Sequence, residues 1–192
     1  MKMQTYLMRE LFKQFEDLPE SDLVTREIGT KAYDVLKQAI LQTASETMLL
    51  FDFTDVLVMD SSFAGPSLLR LMREMIQGQY GDRYMVLTKA TASTKENVDL
   101  TIRGHGLKMA IPVVEDDSKL RLLGDLEPSL SKTFEFLDQR KTVTARELAD
   151  TERIGINAAS NRLKKLYDLR LVTRTEEVTT EGRQHNYQSL LA

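Results

Sequence analysis

The chain has 192 residues, of which 42% are hydrophobic and 29% are charged, and its formal net charge at pH 7 is −3. This composition is ordinary for a globular protein, and the length suits two small domains. The lack of cysteine excludes disulfides, thiolate metal sites and cysteine nucleophiles, and no apolar run approaches the ~20 residues of a membrane-spanning helix. The N-terminus lacks the apolar core of a secretion signal, so we expect a cytoplasmic protein with no membrane partner.

The N-terminal residues predict an amphipathic helix over residues 6–15. Its apolar residues recur at helical spacing and are Leu7, Leu11, Phe12 and Phe15. Residues 18–21, Leu-Pro-Glu-Ser, then predict a break, so we assign residues 1–19 to a separate N-terminal helix. This helix packs either on the rest of the chain or against a second copy, and the sequence leaves a homodimer open.

Residues 20–126 alternate between amphipathic helices and short apolar runs, which is typical of an α/β layer with helices against a sheet. The predicted helices cover residues 25–43, a segment after residue 62, and residues 94–103. The predicted strands cover residues 48–53, 56–59, 84–88 and 109–114. We expect Pro66 close to the start of the second helix, because a proline inside a helix costs ~3 kcal/mol.

Two stretches of this region carry a family resemblance. Residues 49–53 (Leu-Leu-Phe-Asp-Phe) and 58–65 (Val-Met-Asp-Ser-Ser-Phe-Ala-Gly) resemble the central signature of STAS domains, the fold of anti-sigma factor antagonists. Gly106 and Leu107, followed by a strand, fit the later part of that pattern. Ser-Phe-Ala replaces the usual Ser/Thr-Gly-Leu, which is closer to the uncharacterised STAS-like branch. The resemblance covers roughly residues 20 to 125.

The resemblance implies a switch at the Asp-Ser-Ser triplet. In antagonist STAS proteins a partner kinase phosphorylates the serine that follows the aspartate. Carried over, the phosphoacceptor is Ser61, with Asp60 and Ser62 beside it, and the partner is a regulatory protein such as a kinase-like ATPase. A phosphate at a helix N-terminus meets free backbone N–H groups, and its charge changes which partner docks. The residues alone favour the simpler interpretation that one of the three only caps the helix, because the flanking Gly-Leu pattern is altered here.

The remaining candidate chemistry predicts no enzyme, no metal site and no cofactor. The two histidines, His105 and His185, fall in different predicted domains without metal-ligand spacing. No phosphate-binding loop, dinucleotide fingerprint or nucleophile elbow is present. The acidic residues 115–117 follow a strand. They could bind a cation or form a solvated loop, and the loop is favoured.

The most informative pattern lies at residues 156–170, which predict an amphipathic helix. One face is apolar and consists of Ile156, Ala159, Leu163, Leu166 and Leu169. The opposite face consists of Asn157, Asn161, Lys164 and Lys165, with Ser160 and Arg162 on its flanks. Amide side chains suit adenine edges, while cations suit guanine edges and phosphates. The pattern therefore predicts a helix that reads the DNA major groove.

The surroundings of this helix resemble a winged helix-turn-helix domain over residues 127–192. Thr144 and Glu147 form a predicted capping box at the start of a preceding helix, and a further helix upstream carries Leu130, Phe134, Leu137 and Phe136. Two strands follow, at residues 171–174 and 186–190, with a hairpin turn at 179–183. Their arginines, Arg174 and Arg183, complete the predicted DNA-binding set.

The exit of the predicted recognition helix departs from the winged-helix pattern. Arg170 stands where glycine is usual, because the chain there adopts a left-handed conformation that costs other residues on the order of 1 kcal/mol. We therefore expect a turn of a different build.

Fold class and charge leave three functions to compare. We expect an α/β STAS-like domain followed by a small α+β winged-helix domain. Residues 131–192 hold 11 Lys and Arg against 9 Asp and Glu, a small positive surplus for a DNA-binding surface. The favoured function is a non-enzymatic transcription regulator that binds DNA through the winged helix. The alternatives are a partner-switching module without DNA binding and, ranked last, an enzyme.

Overall fold

The protein consists of two compact units, Met1–Asp125 and Leu126–Ala192. The computed structural model describes residues 1–13, 22–115, 119–179 and 182–192. Both units contain helices and a sheet, in keeping with the predicted mixed α/β class, and the sheet of the first unit is mostly parallel. Within the described residues, no helix has the length and apolar character needed to cross a membrane.

A five-stranded sheet forms the centre of the first unit. Its strands are β1 (Lys2–Leu7), β3 (Thr47–Asp52), β5 (Arg83–Thr88), β6 (Ala110–Val114) and β7 (Leu120–Gly124). They lie in the order β1-β3-β5-β6-β7; the first four are parallel and β7 is antiparallel to β6. The inner strands are apolar almost throughout because both of their faces are buried.

Helices and one short strand pair complete this unit. The helices are α1 (Met8–Leu11), α2 (Arg26–Gln42), α3 (Ser61–Ala64), α4 (Arg70–Ile76) and α5 (Ala92–Gly104). A two-residue pair joins β2 (Asp22–Leu23) to β4 (Val58–Met59). Thr25 caps α2 by accepting the Ile28 N–H, and Thr91 caps α5 by accepting the Thr94 N–H. The predicted helices at residues 25–43 and 94–103 are thus confirmed.

The predicted N-terminal helix over residues 6–15 is wrong for its first residues. Tyr6 and Leu7 belong to β1, which pairs in parallel with β3, and within residues 6–13 only Met8–Leu11 is helical. The Tyr6 hydroxyl donates to the Ala39 carbonyl oxygen at 3.0 Å, which attaches the strand to α2. Residues 2–7 are therefore part of the sheet, not of a separate helix 1–19. Phe15 and the predicted break at residues 18–21 lie outside the described residues.

The position predicted for Pro66 is also wrong. The helix begins at Ser61, so Pro66 falls in its second turn, where Gly65–Leu69 widens into a π-helical turn. There the Arg70 N–H donates to the Gly65 carbonyl oxygen, five residues back. Proline lacks an N–H and clashes with the carbonyl of residue i−4, and the wider turn accommodates both defects.

The second unit packs three helices against a three-stranded antiparallel sheet. The helices are α6 (Pro128–Arg140), α7 (Ala145–Glu152) and α8 (Ile156–Asp168). The sheet contains β8 (Thr142–Thr144), β9 (Val172–Thr179) and β10 (Gly182–Ser189), in the order β8-β10-β9. Its core is apolar and includes Leu130, Phe134, Leu137, Val143, Leu148, Leu163, Leu166 and Tyr187. Phe136 is only partly buried, and Thr180 and Glu181 of the predicted hairpin turn lie outside the described residues.

The exit of α8 does not have the different build that we expected. Arg170 adopts φ = 61°, the left-handed conformation that glycine usually supplies at this point. Its side chain is buried, with the guanidinium carbon 5.6 Å from the centre of the Tyr167 ring. Packing and cation–π attraction of this kind offset a strain of about 1 kcal/mol, so an arginine is tolerated there.

Candidate functional site

The helix α8 is held in place by its apolar face. Ala159, Leu163 and Leu166 are fully buried, and the helix packs against α6 and α7. Ile156 is the exception, since 51% of its surface is exposed, and its predicted place in the core is wrong. It occupies the first position of the helix. The buried stripe fixes which side of α8 faces solvent.

The opposite side of α8 carries the predicted amides and lysines. Asn157, Asn161, Lys164 and Lys165 are all exposed, and so is Ser160. The Lys164 ammonium lies 2.6 Å from the Asp168 carboxylate one turn further along. Within the described residues, the side chains of Asn157, Asn161 and Lys165 make no hydrogen bond or ion pair. Two amides and one lysine are therefore available to a ligand without breaking an ion pair.

Two of the predicted DNA contacts are engaged within the unit. Arg162 is half-buried and lies 3.8 Å from the Glu152 carboxylate, so it links α8 to the end of α7. Arg174 is half-buried as well, with its guanidinium carbon 4.3 Å from the centre of the Tyr167 ring. Both side chains stabilise the position of α8 and do not lie on its outer stripe.

A shallow groove of about 320 Å³ separates the first turns of α7 and α8 from β10. Its lining includes Arg146, Asn157, Ser160, Arg183, His185 and Tyr187. None of the described residues that line it is acidic, although Arg183 lies 3.5 Å from Glu176 on the neighbouring strand. The groove therefore combines the N-terminal half of the amide stripe with positive charge.

Sequence reasoning missed Arg146 and His185 as members of this groove. The position of Arg146 could have been predicted, because the capping box places this residue in the first turn of α7. Both hydrogen bonds of that box form as predicted. His185 lies between Arg183 and Tyr187 at the alternate spacing that puts all three on one face of β10. That face became relevant only once the strand was placed beside α8.

The Asp-Ser-Ser triplet in the first unit forms a helix cap. An oxygen of Asp60 accepts the Phe63 N–H at 2.8 Å, and the Ser62 hydroxyl donates to both Asp60 oxygens at 2.9 Å. The capping interpretation is therefore confirmed for Asp60. Ser62 is half-buried and engaged, whereas Ser61 is exposed at the first position of the helix.

The remaining candidate residues of the first unit lie at the ends of its helices and strands. No group of histidine, aspartate and glutamate side chains has the arrangement of a metal site in the described part of the chain. His105 is exposed at the end of α5, as a turn residue would be. Of the acidic run at residues 115–117, Glu115 pairs with Lys95, while Asp116 and Asp117 lie outside the described residues.

Comparison with known proteins does not name a family for this chain. No family model matches the sequence, and no curated protein matches it significantly. Function therefore has to be inferred from the geometry of the two units.

Proposed function

We propose that the second unit is a winged-helix DNA-binding domain and that the protein is a non-enzymatic transcription regulator. In this proposal the first unit is a STAS-like domain that senses a signal or docks a regulatory protein partner. The observation that carries the proposal is the exposed stripe of Asn157, Asn161, Lys164 and Lys165 on α8. A helix with this stripe matches the donors, acceptors and phosphates of a major groove.

The order of elements supports this assignment. Helices α7 and α8 are joined by three residues, 153–155, in which Arg153 is left-handed with φ = 53°. A tight turn of that length between two helices is typical of the helix-turn-helix motif. The β9–β10 hairpin then follows α8, which is the place of the wing.

The groove beside α8 supplies a second contact for DNA. Arg146 and Arg183 line it from α7 and β10, together with Asn157 and Ser160 of α8. Cations at such a position bind phosphate oxygens and fix the orientation of the helix, whereas the amides discriminate between bases. Variants of the cations should therefore change affinity for DNA of any sequence, whereas variants of the amides should change the preference among sequences.

Replacing Lys164 and Lys165 with alanine tests the DNA-binding role. We expect weaker binding to genomic DNA fragments and a salt dependence that flattens by about one unit of slope per lost phosphate contact. Of the two single variants, Lys165→Ala is expected to weaken DNA binding more than Lys164→Ala, because Lys164 already pairs with Asp168. Fluorescence anisotropy over a salt series measures both quantities.

Two control variants sharpen this test. Lys132→Ala removes an exposed lysine from α6 and is expected to leave affinity and slope unchanged. Asn161→Ala is expected to reduce the preference among sequences while the salt slope stays constant, because an amide contacts bases and carries no charge. If the double lysine variant and the parent chain bind DNA identically, the proposal that α8 contacts DNA through these lysines is wrong.

A second candidate function rests on the exposure of Ser61. As a partner-switching module, the protein would respond to phosphorylation at this residue without binding DNA directly. The Ser61 hydroxyl reaches solvent at a helix N-terminus, where added phosphate meets backbone N–H groups, whereas Ser62 is held by Asp60.

Mass spectrometry of the protein from its native host tests the switch. We expect phosphate on Ser61 and none on Ser62, since only the former hydroxyl is free to enter a kinase site. Ser61→Ala should abolish the modified peptide, and Ser62→Ala serves as the matched control. Consistent absence of phosphate under varied growth conditions leaves Ser61 with a structural role only.

A further inference from the structure

The strand β1 forms an open edge of the central sheet. Among the described residues it pairs only with β3, and residues 1–5 and Leu7 are all exposed. Met3 and Leu7 expose 65% and 45% of their surfaces, although both are apolar. Natural proteins usually protect such an edge with proline, bulges or several charges, and β1 has a single lysine, Lys2.

The free hydrogen-bonding groups on this edge come from alternate residues. The Lys2 N–H donates to the Glu46 carbonyl oxygen, so Lys2, Gln4 and Tyr6 direct their backbone groups toward β3. The backbone groups of Met3 and Thr5 therefore point away from the sheet, and within the described residues nothing accepts or donates to them. An extended strand is the partner that satisfies groups with this spacing.

We propose that the partner is β1 of a second copy, paired antiparallel across a twofold axis at Thr5. In this register the two Thr5 residues exchange both backbone hydrogen bonds, and the two five-stranded sheets become continuous. Met3 then lies opposite Leu7 of the second copy, on the same face as Thr5. The exposed apolar residues of the edge thus cover each other, and no like charges face one another.

The self-complementarity of this edge is what favours a second copy over an unrelated strand. A twofold axis at Thr5 pairs residues 3 to 7 with residues 7 to 3, so one short strand provides both the donors and the apolar contacts. The same axis places Gln4 opposite Tyr6 on the other face. This inference does not depend on DNA binding, and the dimer is expected whether or not α8 contacts DNA.

Thr5→Pro in the full chain tests the interface. Proline removes the outward N–H of Thr5 and leaves the hydrogen bonds to β3 intact, so the fold should tolerate it at an edge strand. We expect the dimer dissociation constant to rise roughly 10- to 100-fold, because two symmetry-related hydrogen bonds are lost. Thr5→Ser keeps the N–H and should retain the dimer. Analytical ultracentrifugation over a concentration series measures the constant.

A charge pair tests the register independently of folding effects at Thr5. Met3→Lys should weaken the dimer, and adding Leu7→Glu in the same chain should restore it, because the introduced ammonium then faces the introduced carboxylate of the second copy. Circular dichroism of each variant checks that the strand still folds. A parent chain that stays monomeric at every concentration overturns the proposal. So does a dimer that Thr5→Pro leaves intact, or a different protein's strand found on this edge.

Discussion

Replacing Gly124 with alanine is expected to lower the free energy of unfolding of the first unit by about 3–5 kcal/mol. Gly124 ends β7 with φ = 127°, a conformation that residues with a Cβ atom rarely adopt. A Cβ atom there would lie 2.4 Å from the Met109 carbonyl oxygen and 3.1 Å from the Ala110 Cα. Both obstacles are backbone atoms of the adjoining β6 region, so relief requires the sheet itself to shift.

Gly104→Ala is the matched control for this substitution. Gly104 is the last residue of α5, its φ is not positive, and an added Cβ atom would meet nothing within 4 Å. Alanine there should be neutral or stabilise by up to ~1 kcal/mol, because it favours the helix and restricts the unfolded chain. Urea unfolding followed by circular dichroism compares the two variants. Equal stability of both would show that the close approach at Gly124 is relaxed in solution.

Glu74→Ala is expected to destabilise the first unit by about 2–5 kcal/mol, because it leaves two buried tyrosine hydroxyls without an acceptor. One Glu74 oxygen accepts from the hydroxyls of Tyr33 and Tyr80, at 2.6 and 2.5 Å, and the other lies 3.2 Å from the Arg70 guanidinium. Tyr33 and Tyr80 are almost fully buried. This carboxylate therefore joins α2, α4 and the residues that lead into β5.

The same group predicts a pH dependence of stability. Burial opposes ionisation of Glu74, but hydrogen bonds from Tyr33, Tyr80 and Arg70, with the charge of Arg70, outweigh it and lower its pKa below the usual 4.5. The folded state thus binds protons less readily than the unfolded state. The stabilising effect of the Glu74 carboxylate is complete above about pH 4.5, and it is lost as the pH falls through the lower pKa of the folded state.

Acid unfolding of Glu74→Gln measures this contribution. The amide keeps an acceptor oxygen but cannot titrate. At pH 7 we therefore expect Glu74→Gln to lose less stability than Glu74→Ala, and below about pH 4.5 its stability should decline less steeply than that of the parent chain. Glu96→Gln, at an exposed position of α5, is the control and should leave the acid profile unchanged. A Glu74→Gln profile parallel to that of the parent chain would contradict the assigned role of this carboxylate.

Local patterns were sufficient for the parts of the fold that local interactions determine. The capping box of Thr144 and Glu147 forms with both hydrogen bonds, since it involves only residues three apart. The apolar stripe of α8 predicted which side of the helix is buried, apart from Ile156 at its end. The exposed stripe that carries the DNA-binding proposal was therefore readable from the spacing of asparagine and lysine alone.

Elements that depend on distant partners were beyond such reasoning. The N-terminal segment has helical spacing, yet residues 2–7 pair with β3, more than forty positions away. The strands β7 and β8 were not predicted, because each is short and gains its hydrogen bonds from another part of the chain. Arg170 is a single-residue example. The strain of its left-handed backbone is offset by the packing of its buried side chain, which local sequence does not reveal.

The sequence by itself determined most of the longer helices, the capping box of α7 and the polar stripe on α8, because periodicity and capping act within a few residues. Only the tertiary structure decided the rest of both candidate surfaces. It brought Arg146 and His185 beside α8, turned Arg162 and Arg174 inward, and placed β1 at the edge of a sheet. Strand pairing and the packing of side chains depend on partners far away in the chain, which local spacing does not encode.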